Sequence, residues 1–211
     1  MLAALPCLQV NHPHATAAAS YKPIGLAAAV RAGFTVPPTL ITSDPDAART
    51  FAKDHGPVIH KLLRVTRHLD PDEMPLTVWT TAVEPDDIDD DVAGTAALFQ
   101  TRVDSVADMR VTVVGGRRFA VRIDSGLLDW RTDYDRHTYR PIDVPPEVAD
   151  SITAYMADLR LVYACFDFAL TAADDWVFYE ANPSGQYGWI EAATGLPITP
   201  TFADLLQNGT A

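Results

Sequence analysis

Cysteine is nearly absent from this chain of 211 residues. Only Cys7 and Cys165 occur, with no C-x-x-C or other metal spacing, so neither a disulfide framework nor a thiolate metal site organises the fold. Both sit in apolar sequence, which predicts buried free thiols in a reducing cytoplasm. Positive charge is scarce as well. Sixteen Lys and Arg face 28 Asp and Glu, for a formal net charge of -12 with no basic run. A nucleic-acid surface draws most of its affinity from cations that neutralise phosphates, so that class of partner is excluded. Long apolar runs are missing too. The opening Met1 to Val10 is apolar but too short for a membrane span, and it lacks the basic n-region and small-residue cleavage pattern of a signal peptide. It reads as folded-domain sequence, the last strand of something truncated, and no membrane contact is expected. No G-x-S-x-G, G-x-x-x-x-G-K-[ST] or G-x-G-x-x-G occurs, which removes the simplest hydrolase, P-loop and dinucleotide readings.

What is present describes an ordered globule. Hydrophobic residues make up 48% and charged residues 21%, well outside the range of disordered chains. An Ala-rich helix is expected between Lys22 and Gly33, opened by Pro23 and closed by the glycine. Thr39 to Thr42 follows as a short strand. Ser43 or Asp44 caps a second helix with Pro45 at its start and Gly56 at its end, and Pro57 to Leu63 reads as a strand carrying Lys61. Strands are also expected at Leu76 to Val83, Leu98 to Val103, Arg110 to Val114 and Arg117 to Asp124, the last two joined in a hairpin at Gly115-Gly116. Ser125 to Val144 is a looser polar stretch. A helix from Pro145-Pro146 to about Arg160 buries Ile152, Tyr155, Met156 and Leu159 at helical spacing. Leu161 to Leu170 and Trp176 to Glu180 form an antiparallel pair. The fold class is α+β.

Chemistry concentrates near the end of the chain. Glu180 and Asn182, two apart on a strand, project to one face, and Asp167, thirteen positions before Glu180, lies on the preceding strand where it can converge on them. Three hard oxygen ligands in one place suit Mg²⁺, which uses one or two carboxylates and lets substrate phosphates complete its shell. Each residue alone has a plainer reading. Asp167 between Phe166 and Phe168 is equally one half of a structural ion pair with an arginine, since a buried carboxylate requires a partner. Glu180 and Asn182 are equally an edge strand entering an Asn-Pro-Ser-Gly turn. Lys61 ends an apolar strand, where a lysine either snorkels or meets an anion, and Lys22 is equally a surface residue. Arg110 and Arg131 have the planar fork that grips phosphate, or they form salt bridges in an acid-rich chain. His12-Pro13-His14 reads as a loop. The run Glu84 to Asp91 lacks the central Gly and terminal Glu of a calcium loop and reads as a solvated, helix-capping segment.

The order of these motifs resembles an ATP-grasp ligase, and most closely the ATP-grasp maturases of ribosomally made peptides, the graspetide (microviridin-type) synthetases. The resemblance covers about Asn11 to Leu206. It rests on Tyr21-Lys22-Pro23, Val36-Pro37-Pro38-Thr39-Leu40-Ile41-Thr42, Val58-Ile59-His60-Lys61, Leu98-Phe99-Gln100, Asp108-Met109-Arg110 through Gly115, Asp129-Trp130-Arg131, Phe166-Asp167-Phe168, and Glu180-Ala181-Asn182-Pro183-Ser184-Gly185-Gln186. It implies two α+β lobes with an antiparallel sheet in the second, divided as a remnant of an N-terminal region at 1–20, a small lobe at 21–97 and a C-terminal lobe at 98–211. Family members carry a further domain before the motif at Asn11, and the resemblance implies a chain lacking most of it. After Lys61, Leu62-Leu63-Arg64-Val65-Thr66-Arg67 replaces the usual Pro and glycine-bearing loop, which implies an altered phosphate lid.

By the same resemblance Lys22 and Lys61 face the nucleotide, Gln100, Thr101, Arg102 and Val103 form the adenine hinge, Arg110 and Arg131 hold the γ-phosphate or the acyl phosphate, and Asp167, Glu180 and Asn182 hold Mg²⁺. The implied substrate pair is ATP and a precursor peptide with leader and core, and the implied product an ω-ester or ω-amide crosslink. A glutathione-synthetase-type small-molecule ligase, or a non-catalytic nucleotide- or peptide-binding module, remains the alternative. Whether the chain forms a homo-oligomer stays open.

Overall fold

The computed structural model describes residues 4–63, 68–69, 75–76, 80–125 and 137–209. They divide into two compact units, one from Pro37 to Asp104 and one comprising the chain up to Val36 together with Ser105 onward.

In the Pro37–Asp104 unit, the strands β1 (Thr39–Thr42), β2 (Val58–Lys61) and β5 (Thr81–Val83) assemble around β6 (Ala97–Thr101) in the order β1-β6-β2-β5, with every pairing antiparallel. Two short strands, β3 (His68–Leu69) and β4 (Pro75–Leu76), pair separately. The helix α3 (Pro45–His55) is started by Asp44, whose carboxylate accepts from the backbone of Asp46 at 2.9 Å and Ala47 at 3.3 Å. Gly56 ends it at φ 70°, a conformation that costs glycine little. Ala48 and Ala52, one helical turn apart, pack on Val58, Ile88 and Phe99. The acidic segment makes two 3₁₀ turns, Pro85–Asp87 and Asp90–Gly94, capped by Glu84 and Asp89. Arg49 of α3 ties it down through the Ile88 carbonyl at 2.8 Å and Asp90 at 2.9 Å.

The other unit is built on an antiparallel sheet in the order β11-β10-β7-β8-β9, formed by β7 (Ala107–Val114), β8 (Arg117–Asp124), β9 (Thr138–Ile142), β10 (Tyr163–Leu170) and β11 (Trp176–Asn182). Gly115, at φ 59°, turns the β7–β8 hairpin. One face carries Met109, Val111, Val113, Phe166, Phe168 and Phe178 and is covered by α2 (Lys22–Arg31) and α4 (Pro146–Asp158). Phe34, just past α2, stacks on Phe178 with ring centres 5.2 Å apart and touches Phe166 and Phe168. The opposite face gathers Val114, Val121, Ile123, Tyr163 and Cys165 with Ile190 of α5 (Gly188–Thr194) and Ile198 and Leu205 of α6 (Ile198–Asn208).

Most expected elements form within a few residues of their sequence limits, and four structural details correct the sequence reading. Residues 4–12 contain no strand. His12-Pro13-His14 is the start of a helix, α1 (Pro13–Ala19): proline is tolerated at a first turn whose N–H has no partner, and the His12 ring accepts from the His14 backbone as a cap. The polar stretch Ser125 to Val144 holds β9, whose Pro141 and Arg140 suit an edge strand and hide the usual alternation. Cys7 is exposed, while Cys165 is buried as expected. Strand β6 hydrogen-bonds to β1 and β2, and the α2 helix buries Ala28 and Ala29 in the core of the unit that begins again at Ser105.

Tyr155 of α4 is fully buried against Phe34, Phe166 and Phe178, and its hydroxyl has no hydrogen-bond partner among the described residues. Burial, then the nearby charges of Glu180 and Asp158, push its ionisation upward, so it stays a neutral phenol. A buried hydroxyl without a partner costs about 1–3 kcal/mol. Tyr155→Phe is therefore expected to raise the free energy of unfolding by about 1 kcal/mol in urea titration, with an unchanged m-value.

Candidate active site

A single row of charge crosses three adjacent strands. Asp167 on β10 lies directly opposite Glu180 on β11 and directly opposite Arg110 on β7, and residues opposed in antiparallel strands share a face. The next row along that face is Asn182, Cys165 and Thr112. The sequence trio is thus brought together.

The register explains how Glu180 reaches this face. Phe168 pairs with Phe178 and Asp167 with Glu180, so Tyr179 is an extra residue, a β-bulge. Phe178 packs in the core with Phe168. Without the bulge Glu180, two positions on, would follow Phe178 into that core; the added residue turns it to the other side. Ala181 returns to the core and Asn182, again two from Glu180, is exposed at the strand end.

The electrostatics are local and strong. Arg110 is only 6% exposed. Its Nη1 donates to both Asp167 oxygens at 2.8 Å and its Nη2 to the Gln186 carbonyl at 3.1 Å. The guanidinium also lies 5.9 Å from the ring centre of Trp189, within cation–π range. Burial by itself would ease its proton off, but the Asp167 carboxylate outweighs that and raises the Arg110 pKa further, so the group is permanently cationic. Lys22, at the start of α2, forms an ion pair with Glu180. The plain structural alternative for Asp167, an arginine partner, is therefore realised, and the arginine is Arg110.

A second group of expected residues lies in the Pro37–Asp104 unit. Lys61 donates to Gln100 Oε1 at 2.9 Å, Gln100 Nε2 donates to Thr39 Oγ1 at 2.9 Å, and Thr39 donates to the Pro37 carbonyl at 2.8 Å. Gln100 is fully buried. This chain of side chains fixes the Lys61 ammonium at the end of β2. Of the expected hinge, the Thr101 and Arg102 backbone N–H groups already donate to the Pro38 and Pro57 carbonyls at 2.9 and 2.8 Å. Arg131, with Asp129 and Trp130, lies outside the described residues.

The donor set fits Mg²⁺. Two opposed carboxylates and one amide oxygen offer hard oxygen ligands on one face, with no histidine or thiolate needed. Among the described residues no group of three or more His, Cys, Asp or Glu is placed to hold a metal ion. Three residues around the row were given no site role by the sequence reading: Asn11, Tyr163 and Gly185.

Against known proteins the decisive likeness is structural. No protein-family model matches the chain, and no curated protein matches by sequence. The macrocyclase MdnC of Microcystis aeruginosa, bound with the precursor peptide MdnA, superposes with a TM-score of 0.88 at 25% identity over 100% of this chain and 68% of its own. An ATP-grasp ligase of Chryseobacterium gregarium, solved with ADP and a leader and core peptide, gives 0.85 at 24% identity over 96% of this chain and 63% of its own. This chain has the ATP-grasp fold. The M. aeruginosa macrocyclase MdnB adds a TM-score of 0.78 at 28% identity, covering 95% of this chain and 63% of its own, so the chain spans about two thirds of the length of these proteins.

The buried pair yields a direct test of the electrostatics of the charged row. Removing one partner strands a buried charge at a cost of about 3–5 kcal/mol, whereas replacing both is close to neutral. Arg110→Met should destabilise by that amount in chemical denaturation, and Arg110→Met with Asp167→Leu should recover most of it.

Proposed function

We propose that the chain is an ATP-dependent ligase that activates a peptide side-chain carboxylate as an acyl phosphate and joins it to a hydroxyl or amine, forming an ω-ester or ω-amide crosslink in a ribosomally made precursor peptide. The observation that carries this reading is the Glu180–Asp167–Arg110 row with Asn182 beside it, in a fold shared with a macrocyclase bound to its precursor peptide.

The reaction balances without a protein nucleophile. The substrate carboxylate attacks the γ-phosphorus of ATP and the bond to the β-phosphate oxygen breaks, leaving ADP with the electron pair. The acceptor hydroxyl or amine then attacks the acyl carbon, phosphate departs and the acceptor loses its proton. Phosphoryl transfer of this kind is catalysed mainly by positioning and charge neutralisation. Asp167, Glu180 and Asn182 are the proposed Mg²⁺ ligands, and the ion, when bound, offsets phosphate charge. Arg110 and Arg131 are proposed to steady the γ-phosphate and the acyl phosphate. Lys61 is proposed for the α/β-phosphates, held in place by Gln100. Gln100 to Val103 is the proposed adenine hinge; with the Thr101 and Arg102 N–H groups engaged, Val103 is the residue proposed to meet the base edge. Lys22 is proposed to face the nucleotide from its pairing with Glu180.

The proposed setting is the cytoplasm, where Cys7 and Cys165 stay reduced; no helix among the described residues is long and apolar enough to cross a membrane. A small-molecule carboxylate–amine ligase is the second reading, because the fold is also that of D-cycloserine synthetase DcsG, with a TM-score of 0.66 at 17% identity over 89% of this chain.

ADP release in the presence of a Ser/Thr/Lys- and Asp/Glu-rich peptide encoded nearby, and not with free amino acids, is the expected outcome; turnover of amino acids without such a peptide favours the second reading. Glu180→Ala is expected to abolish the Mg²⁺ enhancement of ADP binding in calorimetry while unfolding stays cooperative. Undiminished enhancement in that variant removes Glu180 from the metal site.

A further inference from the structure

We propose that Asn11 is a positioning residue for Asn182, so that the metal end of the site is set by the segment before α1 as well as by the sheet; this rests on the reading of Asp167, Glu180 and Asn182 as a Mg²⁺–nucleotide site. Asn182 needs such help. It is the last residue of β11, its pairing with Cys165 is the last in the β10–β11 register, and it is exposed. Past it, the sheet provides no further bonds.

The turn that follows takes over. Asn182 Oδ1 accepts from the Ser184 backbone at 2.9 Å, and its carbonyl accepts from Gly185 at 3.2 Å. An amide oxygen has two lone pairs, so the one engaged by Ser184 orients the other. The turn itself is held at three carbonyls. Asn11 Nδ2 donates to Pro183 O at 2.9 Å, the Tyr163 hydroxyl donates to Gly185 O, and Arg110 Nη2 donates to Gln186 O at 3.1 Å.

Asn11 is the hub of this arrangement. Besides Pro183, its Nδ2 donates to Tyr163 O at 2.8 Å, while its Oδ1 accepts from the Val162 and Tyr163 backbones at 2.6 and 2.9 Å. One side chain therefore fastens the start of β10 to the turn after β11 and places Tyr163, which grips the same turn. Packing closes the remaining freedom. A Cβ on Gly185 would lie 2.6 Å from Cys165 Cβ and 2.8 Å from its sulfur, so the turn rests directly on the residue opposite Asn182.

Two variants loosen the turn from different sides. Asn11→Asp keeps the acceptor bonds to Val162 and Tyr163 but sets a carboxylate oxygen against the Pro183 and Tyr163 carbonyls. Gly185→Ala forces the turn off Cys165. The full chain and both variants are titrated with ADP by calorimetry, in Mg²⁺ and in EDTA. Partners of metal ligands typically contribute 10–100-fold to metal affinity. The expected result is a loss of about 10-fold or more in ADP affinity in Mg²⁺, with affinity in EDTA unchanged. Wild-type Mg²⁺ enhancement in both variants, or equal loss with and without the metal, overturns the positioning role alone. A wild-type chain with no Mg²⁺ enhancement overturns the metal reading and this inference with it.

Discussion

A β-strand cannot change the side on which alternate residues point without gaining or losing a residue, and β11 gains one at Tyr179. Phe178 belongs to the aromatic core with Phe34, Phe166 and Phe168, whereas Glu180 lies opposite Asp167 on the other side of the sheet. The core and the charged row therefore make conflicting demands on the phase of one short strand. The bulge satisfies both, and bulges commonly re-aim a side chain next to a site in this way. The Glu180–Lys22 pair and the placing of Asn182 depend on it, while the Asp167–Arg110 pair beside them is set by the β7–β10 register.

The two ion pairs differ in consequence. Arg110 and Asp167 are both largely withdrawn from solvent, where an unpaired carboxylate is costly, so the arginine is the partner that lets a carboxylate occupy that place. Lys22 and Glu180 are more open. Two carboxylates in adjacent register are thus each held by a cation from a different direction, one from the neighbouring strand and one from a helix start. Mutual repulsion is offset within the protein itself, and the oxygens are already gathered for the proposed Mg²⁺. Preorganisation of this kind is what positioning catalysis draws on.

Much of this was legible in the chain itself. The Asp44 cap, the Gly33, Gly56 and Gly115 turns and the strands flanking Asp167 and Glu180 follow from local rules of backbone conformation, and local rules act over a few residues. What stayed hidden acts at long range or against type. Strand β9 carries Pro141 and no alternation, so only its pairing with β8 reveals it. Glu180 and Asn182 were expected on one face, correctly, but nothing in Phe178-Tyr179-Glu180 announces that Tyr179 is the surplus residue. The partner of Asp167 was foreseeable as an arginine and not as Arg110, since 57 residues separate them. Asn11 was legible only as the point where the family resemblance begins, because its four bonds are made to backbone more than 150 residues away.

The press of Gly185 on Cys165 has an evolutionary reading. A shared volume is divided between a turn and a strand, and the turn has taken the smallest share available. Positions 165 and 185 are then not independent letters. A lineage that enlarges one must shrink or shift the other, and since Arg110 Nη2 lies 3.0 Å from the same missing Cβ, the arginine's room is part of the trade. Substitution at 165 is thereby limited by a residue twenty positions away, whatever the local preference of the strand.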